Sequence, residues 1–225
     1  MLPKIDAPIV EIEIPSTGQT SQFRPFTVKE EKILLLAKQD GSNGQMISSI
    51  SQIVRNCSLQ DLDVDKMPYF DVESIFIKLR VISVGNVIEY KYDGKDARVD
   101  LEDVKIRGEI KKKPGSVKLN DNTAAVMRYP TMSEVAGLDE EPGELMTEVV
   151  RICISRIVVG EDDVTDFTNY DVDEQREWIE SLTATQYQHF RNFFGDLPAV
   201  VVESKYKEAD GTIQTNELKG LRNFF

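Results

Sequence analysis

The hydrophobic period of the chain changes from that of a strand to that of a helix near its start, and this change limits the fold more than any other feature. Val10, Ile12 and Ile14 alternate with Glu11 and Glu13 between Pro8 and Pro15, the pattern of a strand with one buried face. Ser16-Thr17-Gly18-Gln19 supplies a turn and Ser21-Gln22-Phe23-Arg24 brings the chain back, which predicts a β-hairpin. Thr27-x-x-Glu30 follows at once. It is a capping box: the threonine hydroxyl accepts from the backbone of the first turn while the glutamate reaches back to the N–H of Thr27. A helix is therefore expected from about Val28 to Gln39, stopped by the glycines of Asp40-Gly41-Ser42-Asn43-Gly44.

A second helix, from about Gln45 to Cys57, carries Met46, Ile47, Ile50, Ile53, Val54 and Cys57 at helical spacing. Asp71 is expected to cap a third, Val72 to about Val84. Its apolar residues occupy two faces: Val72, Ile75, Phe76, Leu79 and Ile82 on one, Ile77, Val81 and Val84 on another. A helix apolar on two faces lies between layers. After Gly85-Asn86, Val87–Tyr92 and Arg98–Leu101 flank Asp93-Gly94-Lys95 as a hairpin, with Val104–Ile106 and Ser116–Leu119 as further strands. Beyond Pro142-Gly143, the apolar residues from Leu145 to Ile157 suggest a buried helix, and Ile157-Val158-Val159-Gly160 leads into a loop. Two helices follow, Val172 to Leu182 and Thr183 to Phe194, the latter opened by the capping box Thr183-x-x-Gln186 and expected to pack with the former as a pair. Ala199–Glu203 and Ile213–Thr215, joined through Asp210-Gly211, close the chain with a hairpin.

Strands and helices come in separate runs rather than in strict alternation, which is the pattern of an α+β fold. The 225 residues divide into two mixed lobes, each combining helices with β-hairpins or a small antiparallel sheet. Residues 1–129 form an N-terminal lobe of hairpin, helices and meander. Residues 130–142 form an acidic connection containing Glu134, Asp139, Glu140 and Glu141. Residues 143–225 form a C-terminal lobe of helices and the terminal hairpin.

The chain carries 39 acidic and 27 basic residues, a net charge of −12, which opposes a nucleic-acid partner at long range. Its one basic run, Lys111-Lys112-Lys113, adjoins Pro114-Gly115 and reads as a solvated loop. No apolar run approaches the ~18 residues that a membrane span needs, and no leader pattern opens the chain, so the cytoplasm of the producing cell is the expected location. Cys57 and Cys153 sit among apolar residues and read as buried thiols. Asp61, Asp63 and Asp65 alternate like a calcium loop, but the positions that would need glycine and glutamate hold Lys66 and Val72. Glu161-Asp162-Asp163 reads as a solvated acidic loop. The single histidine, His189, lies among Tyr187, Phe190 and Phe193 and is expected at the edge of a core. Phosphate loop, nucleophile elbow and cysteine pair are all missing, so no catalytic, metal or cofactor residues are assigned and an enzyme is not expected.

Leu2-Pro3-Lys4-Ile5, Pro15-Ser16-Thr17-Gly18, Phe23-Arg24-Pro25-Phe26 with Val28-Lys29-Glu30-Glu31-Lys32, then Cys57 with Asp61, Asp63 and Asp65, Pro68-Tyr69-Phe70-Asp71, and Ile75 through Gly85 form ordered blocks. Together they resemble the T4-like bacteriophage baseplate hub subunit family. Phe193-Phe194-Gly195-Asp196-Leu197-Pro198 and Leu218-Lys219-Gly220-Leu221-Arg222-Asn223-Phe224-Phe225 resemble the family's ending, while residues 98–144 are left unassigned. The resemblance implies a non-enzymatic role at the central hub of a contractile tail, as a component or as an assembly factor. It implies other hub and tail proteins as partners, with no nucleic acid, membrane, small-molecule substrate or cofactor. The host cytoplasm during assembly and the tail baseplate of the virion are the implied locations. The alternatives are a tail-assembly chaperone absent from the finished particle and, less favoured, a cell-wall-degrading hub enzyme. Leu221, Phe224 and Phe225 are the candidate anchor for the C-terminal tail, on its own lobe or in a partner, because exposed aromatics gain from burial.

Overall fold

The computed structural model describes residues 5–138, 144–160, 163–208 and 210–220. It is α+β, with three antiparallel sheets and helices packed on their faces. The first hairpin pairs β1 (Val10–Ile14) with β2 (Gln19–Phe23), placing Ile12 opposite Ser21. Its inward residues Ile12, Ile14 and Phe23 are buried, as the alternation requires.

Helix α1 (Val28–Asp40) begins at the Thr27 capping box and ends at Gly41, whose positive φ of 77° lets the chain turn away. Replacing Thr27 with alanine should lower stability by about 1 kcal/mol, read as a shift in the urea midpoint, because the first turn loses its side-chain acceptor. An unchanged midpoint would mean that the cap adds nothing. Helix α2 (Asn43–Cys57) lays Met46, Ile50, Ile53, Val54 and Cys57 on the hairpin core. Helix α3 (Tyr69–Val84) is the middle layer. Val72, Ile75, Phe76 and Leu79 face that core, and Ile77 with Val81 faces a second.

Asp71 does not cap α3. The helix starts earlier, after Pro68, and Asp71 is buried in its first turn, accepting from the Ser16 backbone N–H at 2.8 Å and from the Ser16 hydroxyl. Two donors in the hairpin turn hold the carboxylate more completely than the helix end would.

The second core lies under a sheet of β3 (Val87–Tyr92), β4 (Lys95–Asp100), β5 (Lys105–Arg107), β10 (Ala199–Lys207) and β11 (Ile213–Lys219). Strand β10 joins β4 through Ser204↔Val99 and β5 through Val200↔Ile106. The terminal hairpin of the expected 143–225 lobe is thus hydrogen-bonded to the meander of the expected 1–129 lobe. The run Val200-Val201-Val202 is buried on both faces, as an unbroken apolar run implies, but local sequence cannot say which strands flank it.

The third core sits between the third sheet and three helices. The sheet runs β6 (Gly115–Lys118), β7 (Thr123–Met127), β8 (Ile154–Val159), β9 (Asp163–Asp166). A short helix α4 (Met132–Ala136) follows β7, and α5 (Leu145–Cys153) runs directly into β8. The helix expected to continue to Ile157 therefore stops at Cys153, because Ile154, Ile157 and Val158 are taken up by pairing with β7. Helix α6 (Val172–Glu180) packs mainly on α5, and α7 (Ala184–Gly195) crosses β6, so these two do not form the simple pair that their adjacency suggests.

Candidate functional site

Two polar constellations, one built on a buried and one on a half-buried glutamate, and one exposed apolar stripe stand out from the packing. In the first constellation Arg24 grips Glu30 with both guanidinium nitrogens at 3.2 Å, and also donates to the Asn56 carbonyl at 3.0 Å. Glu30 is 1% exposed and accepts from the Thr27 N–H at 2.9 Å. Burial works to raise its pKa, but the hydrogen bonds from Arg24 and Thr27 outweigh burial and hold it at about 2. The Arg24 backbone N–H donates to the Cys57 carbonyl at 2.9 Å.

The second constellation repeats these parts. Arg128 forks onto Glu134 at 2.8 and 2.5 Å, Glu134 closes a capping box with Thr131, and the Arg128 N–H donates to the Cys153 carbonyl at 2.7 Å. Here too burial opposes ionisation and the arginine overrides it, leaving the Glu134 pKa lowered. Both cysteines are buried, and burial pushes the thiols up to about 11 for Cys57 and about 12 for Cys153, which makes them inert packing groups. Sequence reasoning found Thr27-x-x-Glu30 and missed Thr131-x-x-Glu134. The signal was there: Arg-x-x-Thr-x-x-Glu occurs at both places with the same internal spacing.

Glu73 on α3 is the other buried acid. It is 3% exposed, is hydrogen-bonded to the backbone of Val200, and its Oε1 has no partner among the described residues. Burial raises its pKa to about 8. It faces β10 inside the protein and does not line the neighbouring apolar groove, a 520 Å³ cleft between α3 and the β5 region bounded by Ile77, Val81, Leu101, Val104 and Ile106. A carboxylic acid of raised pKa suits acid catalysis only where substrate can reach it.

The remaining residues singled out in the sequence are spread apart. Asp65 is held by Arg55 at 2.6 Å and by the Ser51 hydroxyl at 2.7 Å, and Asp63 by Lys66 at 2.7 Å. His189 is exposed rather than at a core edge, its Nδ1 2.7 Å from the Lys118 carbonyl, because Phe190 takes the inward position on α7. Lys111 pairs with Glu109 at 3.3 Å. Leu221, Phe224 and Phe225 lie outside the described residues, as do Glu161 and Asp162.

The exposed stripe is on α1. Val28, Leu35 and Leu36 recur at helical spacing and are 66%, 55% and 67% exposed, with Lys32 between them. Apolar side chains on one exposed helix face make this a candidate contact surface.

In comparisons with known proteins, searches of curated proteins and of solved structures return no match. A family model described as T4 bacteriophage base plate protein matches residues 7–225. That match takes in the hairpin, both arginine–glutamate constellations and all three cores, so this chain belongs to the T4 bacteriophage base plate protein family.

Proposed function

We propose that this baseplate protein is a non-enzymatic component of the central hub, joined to other hub and tail proteins through apolar contacts. The observation that carries this reading is the exposed Val28, Leu35 and Leu36 stripe on a helix whose Glu30 is ion-paired to Arg24 at the end of the hairpin. Its placement at the hub rests on the sequence blocks at both ends of the chain. The Cys57 and Cys153 thiols are buried and Glu73 is enclosed, which favours contact over catalysis. An assembly factor that leaves before the tail is complete is the second reading, since the same stripe would serve a transient partner.

Mass spectrometry of purified tails separates the two. A fixed stoichiometry in finished tails supports the hub component, and absence from tails that nevertheless require the protein supports the assembly factor. Leu35→Asp with Leu36→Asp should leave the melting temperature of the isolated protein within the small range typical of surface changes and abolish its role in tail assembly. Wild-type assembly by this variant, or peptidoglycan turnover by the purified protein, would overturn the reading.

A further inference from the structure

The two arginine–glutamate constellations belong to longer matching stretches. Each begins with a hairpin, β1–β2 or β6–β7. Ile12, Ile14, Ser21 and Phe23 are buried in the first, and Val117, Leu119, Ala125 and Met127 in the second. The registers agree: Ile12 lies opposite Ser21 as Val117 lies opposite Ala125. Next come arginine, the capped helix, and a helix ending Val54-Arg55-Asn56-Cys57 or Val150-Arg151-Ile152-Cys153. The residue after each cysteine returns to the hairpin at the same point, Ser58 opposite Phe23 and Ile154 opposite Met127. A single 3-10 turn and a helix then follow in both, with Asp71-Val72 inside the first turns of α3 and Asp171-Val172 at the start of α6, where Asp171 is the N-cap; Ile75 and Leu79 are buried in α3 where Gln175 and Ile179 are buried in α6.

Apart from the lengths of their helices, the copies part after the cysteine. In the second, the chain continues along β7 as β8, with Ile157 buried opposite Ala125. Counting from the cysteine, the first copy has Asp61 where the second has Ile157. A carboxylate cannot take that inward place without a partner. The chain leaves instead through the turn at Ser58–Gln60, where the Leu59 N–H still donates to the Gln22 carbonyl at 2.9 Å and the Gln60 side chain reaches back to accept from the Ser21 hydroxyl at 2.7 Å.

We propose that the chain holds two copies of one folding unit, and that the first lacks its β8, leaving the outer edge of β2 to accept an extended segment of another protein. The backbone geometry supports this. Arg24 donates and Gln22 accepts away from β1, to Cys57 and Leu59, so Thr20, which shares their parity, also points its N–H and carbonyl outward. Thr20 and Gln22 are exposed. β8 defines the chemistry of the occupant, which takes over the Gln22 carbonyl from Leu59 and the place beside Ser21 from Gln60: antiparallel to β2, an aliphatic residue facing Ser21, and a basic residue at the solvent-facing position opposite Gln22, where Arg156 stands opposite Val126. That position lies on the strand face that carries Glu11 and Glu13, across from Gln22 and Thr20. Addition of a strand to such an edge takes affinity from backbone pairing and specificity from alternate side chains.

The probe is a capped synthetic peptide with the sequence of residues 154–160, added in millimolar excess to the full chain. The readout is backbone amide NMR and hydrogen exchange, and it does not depend on any placement in the tail. In the chain alone the Thr20 and Gln22 amides should exchange at least tenfold faster than those of Ala124 and Val126. With peptide, the Thr20 and Gln22 amides should shift and slow. Peptides carrying Ile157→Asp or Arg156→Glu should lose the effect, and these changes leave the folding of the protein untouched. Thr20→Pro in the chain should abolish the response at Gln22 while the α1 amides keep their protection. No change at Thr20 and Gln22 at saturating peptide, or an equal response at the β3, β9 or β11 edges, would overturn the proposal.

Discussion

Replacing Glu73 with glutamine should raise the stability of the protein at pH 7 by about 3 kcal/mol and leave it nearly unchanged at pH 4.5. Glutamine has the shape of the neutral acid and keeps an acceptor for the Val200 backbone. Burial lifts the folded-state pKa of Glu73 from 4.5 to about 8, so between those values the folded chain holds a proton that the unfolded chain gives up. The sign follows from this. A raised pKa leaves stability intact below 4.5, and stability is lost as pH rises through about 8, at roughly 1.4 kcal/mol per pH unit. Urea midpoints from pH 4.5 to 9 should fall for the wild type and stay flat for Glu73→Gln over this window. Parallel curves would mean that Glu73 titrates normally in the folded protein. The acid sits where α3 meets β10, so the penalty acts on the contact that joins the central helix to the five-stranded sheet.

Glu73 was legible in principle. It lies one turn before Ile77 and two before Val81, on the second apolar face of α3, and a charged residue in such a stripe is either paired or neutral. Local signals did well elsewhere for the same reason that they are local. The Thr27 and Thr183 capping boxes depend only on residues three apart, and both helices start where those boxes place them. Where a residue had a distant partner, sequence was misleading. Asp71 is a good helix cap by composition, yet Ser16 claims its carboxylate across the fold. Ile154 to Val158 keeps a helical spacing with the residues before it, yet β7 offers it an edge. Helix α4 is too short for a periodic signal, and Thr131-x-x-Glu134 was its only trace. The exposed stripe of α1 was visible as Leu34-Leu35-Leu36, but which of these faced outward depended on the hairpin beneath them.

The repeated arginine–glutamate pair allows a comparison that a single site would not. Arg24→Met should cost about 3–5 kcal/mol at pH 7, because it leaves the carboxylate of Glu30, 1% exposed, without its countercharge. Arg128→Met should cost roughly half as much, since Glu134 is 29% exposed and water can replace part of what the arginine supplied. The pH dependence separates charge from packing. In the wild type the pKa of Glu30 is depressed to about 2, so its contribution is fully present above 4.5 and is lost as pH falls toward 2. The deficit of Arg24→Met should therefore narrow across the acid range as Glu30 becomes neutral in the variant. Adding Glu30→Gln to Arg24→Met should recover part of the loss at pH 7, because an amide in that place is no longer a buried charge. Denaturant midpoints of the three variants at pH 7 and pH 3 decide the matter. An Arg24→Met deficit equal at both values, with no recovery in the double variant, would assign the role of Arg24 to packing along the hairpin rather than to holding Glu30 ionised at the base of α1.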